Sequence, residues 1–189
     1  MTSFENDIER CLDTLKGGGL ILYPTDTIWG IGCDATNERS VEKIYELKKR
    51  SDEKALIVLV ADEKDILRHV AAPDLSLFDY LDKTIKPTTV VYEAALGFAG
   101  NIVAGDGSIA IRICKDDFCR QLIKRFRKPI VSTSANISGV PAPKFFKEIN
   151  DEIKNGVDYI VQYRRDDETI SQPSSLIKWN NGKVIVLRD

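Results

Sequence analysis

Apolar positions along the chain switch repeatedly between helical and extended spacing. Phe4, Ile8, Cys11, Leu12 and Leu15 recur at helical spacing behind Ser3, a capping residue type, and Gly17-Gly18-Gly19 ends the pattern. Leu20 to Tyr23 reads as a short buried strand closed by Pro24, with Thr25, Asp26 and Thr27 at its end, then Trp29 between apolar neighbours and two glycines, Gly30 and Gly32. Val41, Ile44, Tyr45 and Leu47 predict a helix over 37–49 with a basic last turn, and Ala55 to Val60 an apolar strand. Helical patterns return over 62–70 and 73–85, the second stopped by Pro87. Thr88 to Tyr92 is β-branched enough for a strand, Ser108 to Cys114 alternates as a second one, and Asp116 to Arg127 makes an amphipathic helix with a basic end. Ile130 and Val131 lead in like a buried strand, and the Ser, Asn, Gly and Pro that follow are too rich in turn formers to continue it. Pro143 and Lys144 open a helix with Phe145, Phe146, Ile149 and Ile153 on one face, closed by Asn155-Gly156. After a strand-like Tyr159 to Tyr163 and a charged loop, the chain ends in two strands around Asn181-Gly182, a strong hairpin signal. The alternation predicts an α/β (α+β) fold: one domain over 1–189, with a mixed sheet and helices packed against it.

Composition narrows the chemistry. A net charge of -2 and 43% hydrophobic residues, with both charge signs interspersed, do not call for nucleic acid as the main partner. The N-terminus lacks the basic start and apolar run of a secretory signal, and no stretch approaches the length of a bilayer span, so a cytoplasmic protein without membrane partners is expected. Four cysteines without a CxxC pair and a single histidine, His69, argue against a dedicated metal site and restrict any Ser-His or Cys-His nucleophile to His69. That residue reads as an ordinary helix C-terminal histidine.

Several strand ends nevertheless carry candidate ligand groups. Pro129 to Pro143 holds no charge but four hydroxyls (Ser132, Thr133, Ser134, Ser138) and Asn136. Such a loop either binds a ligand by neutral hydrogen bonds or is a Ser-rich turn satisfying its own backbone. Lys48, Lys49, Arg50 and Lys54 place four cations within seven residues, a solvated helix terminus or a polyphosphate site. Arg112 interrupts an otherwise uncharged strand and needs a salt bridge or a ligand carboxylate. Thr25, Thr27 and Ser174 complete a set that suggests one crevice built from distant segments. Neither GxxxxGK[ST] nor GxGxxG is present, so standard phosphate-loop and dinucleotide folds are not supported.

Five short motifs occur in order: YPTDTIWGIG, the Lys-x-Arg of LKKRSDEKAL, STSANISG, PSSL and a closing VLR. Together they resemble the YrdC/Sua5 family of threonylcarbamoyl-AMP synthases, in its short single-domain form. The resemblance implies a twisted sheet with a basic concave surface. It also implies an L-threonylcarbamoyladenylate synthase, a nucleotidyltransferase joining L-threonine, bicarbonate and ATP, usually with Mg2+, on the path to threonylcarbamoylated adenosine 37 of tRNA, with other tRNA threonylcarbamoyl transferase proteins downstream. By the same resemblance Lys48 and Arg50 are the catalytic basic pair and, with Lys54, hold the phosphates. Thr27, Arg112, Ser132 and Ser174 lie at the threonine, and Ser134, Asn136, Ala142 and Arg188 at the nucleotide. The chain departs from the family pattern at Trp29, where a tyrosine is usual, and at Ser51, Ala55 and Ile85, where prolines are usual. The alternatives the resemblance leaves open are a module binding tRNA or double-stranded RNA and a YciO-like paralogue hydrolysing an adenylate. The step itself needs no nucleophilic side chain, because a carbamate made from threonine and CO2 is already an anion able to attack the α-phosphate.

Overall fold

The computed structural model describes residues 4–49 and 56–189. Helix α1 (Glu5–Lys16) leads into strand β1 (Ile21–Tyr23), followed by β2 (Gly30–Gly32), α2 (Glu38–Lys48), β3 (Ile57–Val60), α3 (Glu63–His69), α4 (Ser76–Lys83) and β4 (Thr88–Tyr92). Then come β5 (Ile109–Ile113), α5 (Asp117–Phe126), β6 (Ile130–Ser134), α6 (Asp151–Asn155), β7 (Tyr159–Ile160), β8 (Ser175–Asn180) and β9 (Lys183–Arg188). The strands form one mixed sheet in the order β7-β1-β2-β6-β3-β5-β4-β8-β9. Neighbours β3 and β5 run parallel, as do β4 and β8, whereas β6 is antiparallel to both of its neighbours.

Local chemistry explains most boundaries. Asn37, Asp62, Asp116 and Asn150 each accept a backbone N–H from the first turn of α2, α3, α5 and α6, which satisfies donors a helix start leaves unpaired. Asn181 and Gly182 both adopt positive φ (47° and 80°), the conformation a two-residue hairpin between β8 and β9 requires. Ser3, Arg50, Ser51, Lys54 and Ala55 lie outside the described residues.

Four expectations are corrected. The strand after Pro129 does not end at Val131: it continues to Ser134, because Thr133 and Ser134 pair with Ile31 and Gly30 of β2 while Ser132 pairs with Ile57 of β3. Backbone pairing on both sides keeps these residues extended despite their turn-forming side chains. Gly30 to Gly32, read only as glycines after a tryptophan, is itself a strand. A Cβ on Gly32 would lie 2.6 Å from the Tyr23 ring and 2.8 Å from the Val131 carbonyl, so glycine is what lets β1, β2 and β6 approach. The single helix expected from Pro143 is two pieces, a short 3-10 turn at Phe146–Glu148 and α6, separated where Ile149 turns extended and Asn150 caps α6. Helix α4 stops at Lys83 rather than 85, where Thr84 is already extended.

The core runs through both halves of the sheet and includes all four cysteines, which are free. Burial pushes the Cys11, Cys33 and Cys119 thiols well above their ordinary pKa. Because the thiolate is the reactive form, a disulfide-exchange reagent at about pH 8 is expected to leave all of them untouched over minutes in native protein and to titrate them after urea unfolding. Rapid reaction of any cysteine in the native state would contradict this packing.

Candidate active site

Residues opposite one another on adjacent strands share a face of the sheet. Ser132 of β6 lies opposite Ile57 of β3, Ile57 opposite Ala110 of β5, and Ala110 opposite Val91 of β4. All four line one cavity of about 400 Å³, so the register itself lays its floor. Two residues further on, Ser134 and Arg112 extend the same face, and Leu176 with its partner Arg188 continues it onto the terminal hairpin. The segment from Thr27 to Gly30, Ala142, Pro173 and Ser174 form the walls. Among the described lining residues there are two arginines and no carboxylate, so the cavity is built for a negative ligand.

Arg112 is the cation at its centre, with a side chain only 4% exposed. Its Nη2 lies 3.0 Å from Asp26 Oδ1 and donates to Thr27 Oγ1 at 3.3 Å. The pair with Asp26 is electrostatic without hydrogen-bond alignment, and Arg112 Nε is buried without an acceptor among the described residues. Thr27 is itself held from behind. Thr25 Oγ1 donates to the Ile28 carbonyl (2.8 Å), so in its 3.0 Å contact with Thr27 the proton comes from Thr27, whose lone pair is left for Arg112. Arg112 is therefore salt-bridged, one of the two readings its sequence context left open, and it also lines the cavity.

The uncharged segment behaves differently from its neighbour α2. Ser132, Thr133 and Ser134 line the cavity, whereas Asn136 turns its amide back to the carbonyls of Ile137 and Val140 and does not. Lys48 also needs correction. It is almost fully buried, and its ammonium donates to the Ser134 carbonyl and, at 2.6 Å, to the Asn136 carbonyl instead of lining the cavity. In return Ser138 N donates to the Lys48 carbonyl at 2.9 Å. A buried ammonium finds its partners where they are, and the carbonyls at the end of β6 are in reach. Lys48 thus ties the end of α2 to the Ser134–Ser138 turn, and its charge lies behind that turn.

On the opposite wall the C-terminal hairpin is pinned at several points. Arg188 Nη2 donates to the Ser174 carbonyl (3.0 Å), Ser175 Oγ to Asp189 (3.1 Å), and Lys86 pairs with Asp189 at 2.6 Å. The hydrogen bond from Lys86, with that from Ser175, holds the Asp189 carboxyl below its ordinary pKa. Behind Ser132, the fully buried Tyr23 hydroxyl donates to the Val131 carbonyl at 3.1 Å, and burial drives its phenol pKa far up.

Of the residues singled out from sequence, Thr27, Arg112, Ser132, Ser134, Ala142, Ser174 and Arg188 meet in this one cavity. Lys48 and Asn136 stand behind it, and Arg50 and Lys54 lie outside the described residues. Asp26, the partner of Arg112, was visible only as part of a hydroxyl-rich strand end. An isolated charge in an apolar strand demands a counter-ion, but nothing in the sequence says which carboxylate supplies it.

Comparison with known proteins converges on one group. Residues 13–189 match the Sua5/YciO/YrdC family, described as "Telomere recombination". A putative threonylcarbamoyl-AMP synthase of Methanocaldococcus jannaschii is 33% identical over 98% of this chain and 88% of its own length. The threonylcarbamoyl-AMP synthase of Saccharophagus degradans is 36% identical over 72% of each chain. Among solved structures, P. abyssi Sua5 complexed with L-threonine superposes with a TM-score of 0.85 at 23% identity, covering 97% of this chain but 54% of that one. This chain thus spans about half of that Sua5. E. coli YciO superposes with a TM-score of 0.82 at 18% identity, over 97% of this chain and 89% of its own. At these identities the structural likeness carries the fold.

The buried pair makes a stability test. Asp26→Asn leaves the Arg112 guanidinium without its counter-charge and is expected to cost about 3 kcal/mol in urea unfolding. Asp62→Asn, which removes an exposed partner 3.9 Å from Lys124 and keeps a capping side chain, is expected to cost below about 1 kcal/mol. Equal, small losses in both would contradict the placement of Arg112.

Proposed function

The chain belongs to the Sua5/YciO/YrdC family, and on that premise we propose that it is an L-threonylcarbamoyladenylate synthase, condensing L-threonine, bicarbonate or CO2, and ATP to threonylcarbamoyl-AMP and pyrophosphate. The observation that carries the reading is the cavity with two arginines, a row of neutral hydroxyls and no lining carboxylate among the described residues. It suits two anions that must be brought together.

The amine of threonine adds to CO2 with loss of a proton, giving a carbamate. A carbamate oxygen then attacks the α-phosphorus of ATP, and the bond to the β-phosphate oxygen breaks, so pyrophosphate carries away the electron pair. Neither step draws on a side-chain nucleophile. The protein orients the partners, which is worth roughly 7–11 kcal/mol of barrier in favourable cases, and keeps water from two hydrolysable groups. In this reading Arg112 and Ser174 hold the threonine side, with Thr27 fixing Arg112 and Ser132 beside it. Ser134, Ala142 and Arg188 flank the nucleotide. Arg50 and Lys54 keep the phosphate-binding role their motif implies, and Lys48 contributes by holding the turn and placing its charge behind it. Asn136 acts at the nucleotide by shaping the same turn.

Among the described residues no three carboxylate, histidine or cysteine side chains gather as a metal cage. In this reading Mg2+ would arrive with ATP and neutralise its phosphates. No helix among the described residues is long and apolar enough to cross a membrane, and we place the reaction in the cytoplasm, where its substrates are. A labile product calls for prompt transfer, so tRNA and the proteins that threonylcarbamoylate it are the proposed partners.

Purified protein should release pyrophosphate from ATP only when threonine and bicarbonate are both present. Release independent of threonine would indicate the adenylate or nucleotide hydrolysis of the YciO-type alternative. Salt-sensitive RNA binding with no turnover would indicate an RNA-binding module instead. Ser134→Ala is expected to raise the KM for ATP about five-fold, the worth of one hydrogen bond.

A further inference from the structure

Thr89 lies two residues before Val91 on β4, on the cavity face, yet it does not line the cavity, because Ser174 sits over it. The two hydroxyls are 2.7 Å apart. Thr89 has no exposed surface, and among the described residues its hydroxyl has no partner other than Ser174. Ser174 is itself only 2% exposed, but it borders the cavity. The Ser174 backbone is fixed independently, by Arg188 on its carbonyl and by the Ser175 N–H donating to the Pro87 carbonyl at 3.0 Å.

A buried O–H left without an acceptor is costly, and Thr89 has only one acceptor in reach. Its proton therefore goes to Ser174 Oγ, and a hydroxyl that accepts there is free to send its own proton outward. We propose that Thr89 is a positioning residue that fixes the direction of the Ser174 hydroxyl, so that this point of the cavity is a hydrogen-bond donor and selects an acceptor oxygen of the ligand, a carboxylate or a phosphate, over an ammonium group. The donated bond from Thr89 also polarises Ser174 and strengthens its outward bond. The identity of the ligands rests on the synthase reading; the direction of the hydroxyl pair rests on burial and geometry alone.

Thr89→Val tests this, since valine keeps the shape and the β-branching of threonine and removes only the hydroxyl. Threonine-dependent pyrophosphate release is measured for wild type, Thr89→Val, Thr89→Ser, Ser174→Ala and the Thr89→Val/Ser174→Ala double variant, with urea unfolding as the control for folding. Thr89→Val is expected to raise one KM about five-fold with the loss confined to KM. A rise in the KM for threonine assigns the acceptor as its carboxylate, and a rise in the KM for ATP assigns a phosphate. Thr89→Ser should restore the wild-type value. In the Ser174→Ala background Thr89→Val should add nothing, because its only path to the ligand has gone. Additive losses in the double variant, an unchanged KM in Thr89→Val, or a uniform fall in kcat that tracks stability would each overturn the proposal. A wild type that shows no threonine-dependent release would overturn the synthase reading and this inference with it, whereas an active wild type with additive losses removes only the role given to Thr89.

Discussion

A guanidinium in the middle of a nine-stranded sheet is the constraint that the rest of the site answers to. Arg112 sits on β5, flanked by β3 and β4, where charge is tolerated only with a partner. Asp26 supplies the counter-charge, Thr27 accepts from the same nitrogen, and Thr25 orients Thr27. Three consecutive residues after β1 are thereby committed to one side chain on a strand far away in sequence. The same guanidinium also lines the cavity, and that is the part of the arrangement that a ligand can use.

The opposite end of the cavity solves a different problem, that of holding a neutral turn rigid. The Ser134–Ser138 turn carries no charge of its own. It is fixed by the Lys48 ammonium on two of its carbonyls and by its own N–H on the Lys48 carbonyl. A nucleotide bound here would meet a turn whose backbone is already held in place, with a positive charge one layer behind it. Orientation and charge neutralisation are thus divided between different residues, which fits a reaction whose difficulty is to bring two anions together without water.

Where local pattern dictates local structure, the sequence was readable. Thr88 to Tyr92 is a strand with the boundaries its β-branched residues imply, and Asn181-Gly182 makes its hairpin. Where neighbours decide, it was not. Gly30 to Gly32 reads only as glycines after a tryptophan until the Tyr23 ring and the Val131 carbonyl are seen to leave no room for a side chain at Gly32. Ser132 to Ser134 looks like a loop until both edges of β6 are paired. The site shows the same division. Seven residues singled out from the sequence share one cavity, but the direction of a flexible lysine or amide is not written in a motif, and Lys48 and Asn136 turn away from it. Supporting residues such as Asp26 and Thr89 were hidden for the same reason: their importance lies in what they touch across the sheet.

Family membership and an arginine-bearing cavity together make one central claim, that a single crevice holds an amino acid and ATP with their reacting ends adjacent. A crystal structure with L-threonine and a non-hydrolysable ATP analogue tests it most directly. The account predicts both ligands in the cavity between Ser132, Ser174 and Arg188, with the threonine carboxylate on the Arg112 guanidinium and the nucleotide against Ser134. Ligands bound elsewhere on the molecule, or an Arg112 that still contacts only Asp26 and Thr27 in the complex, would contradict it.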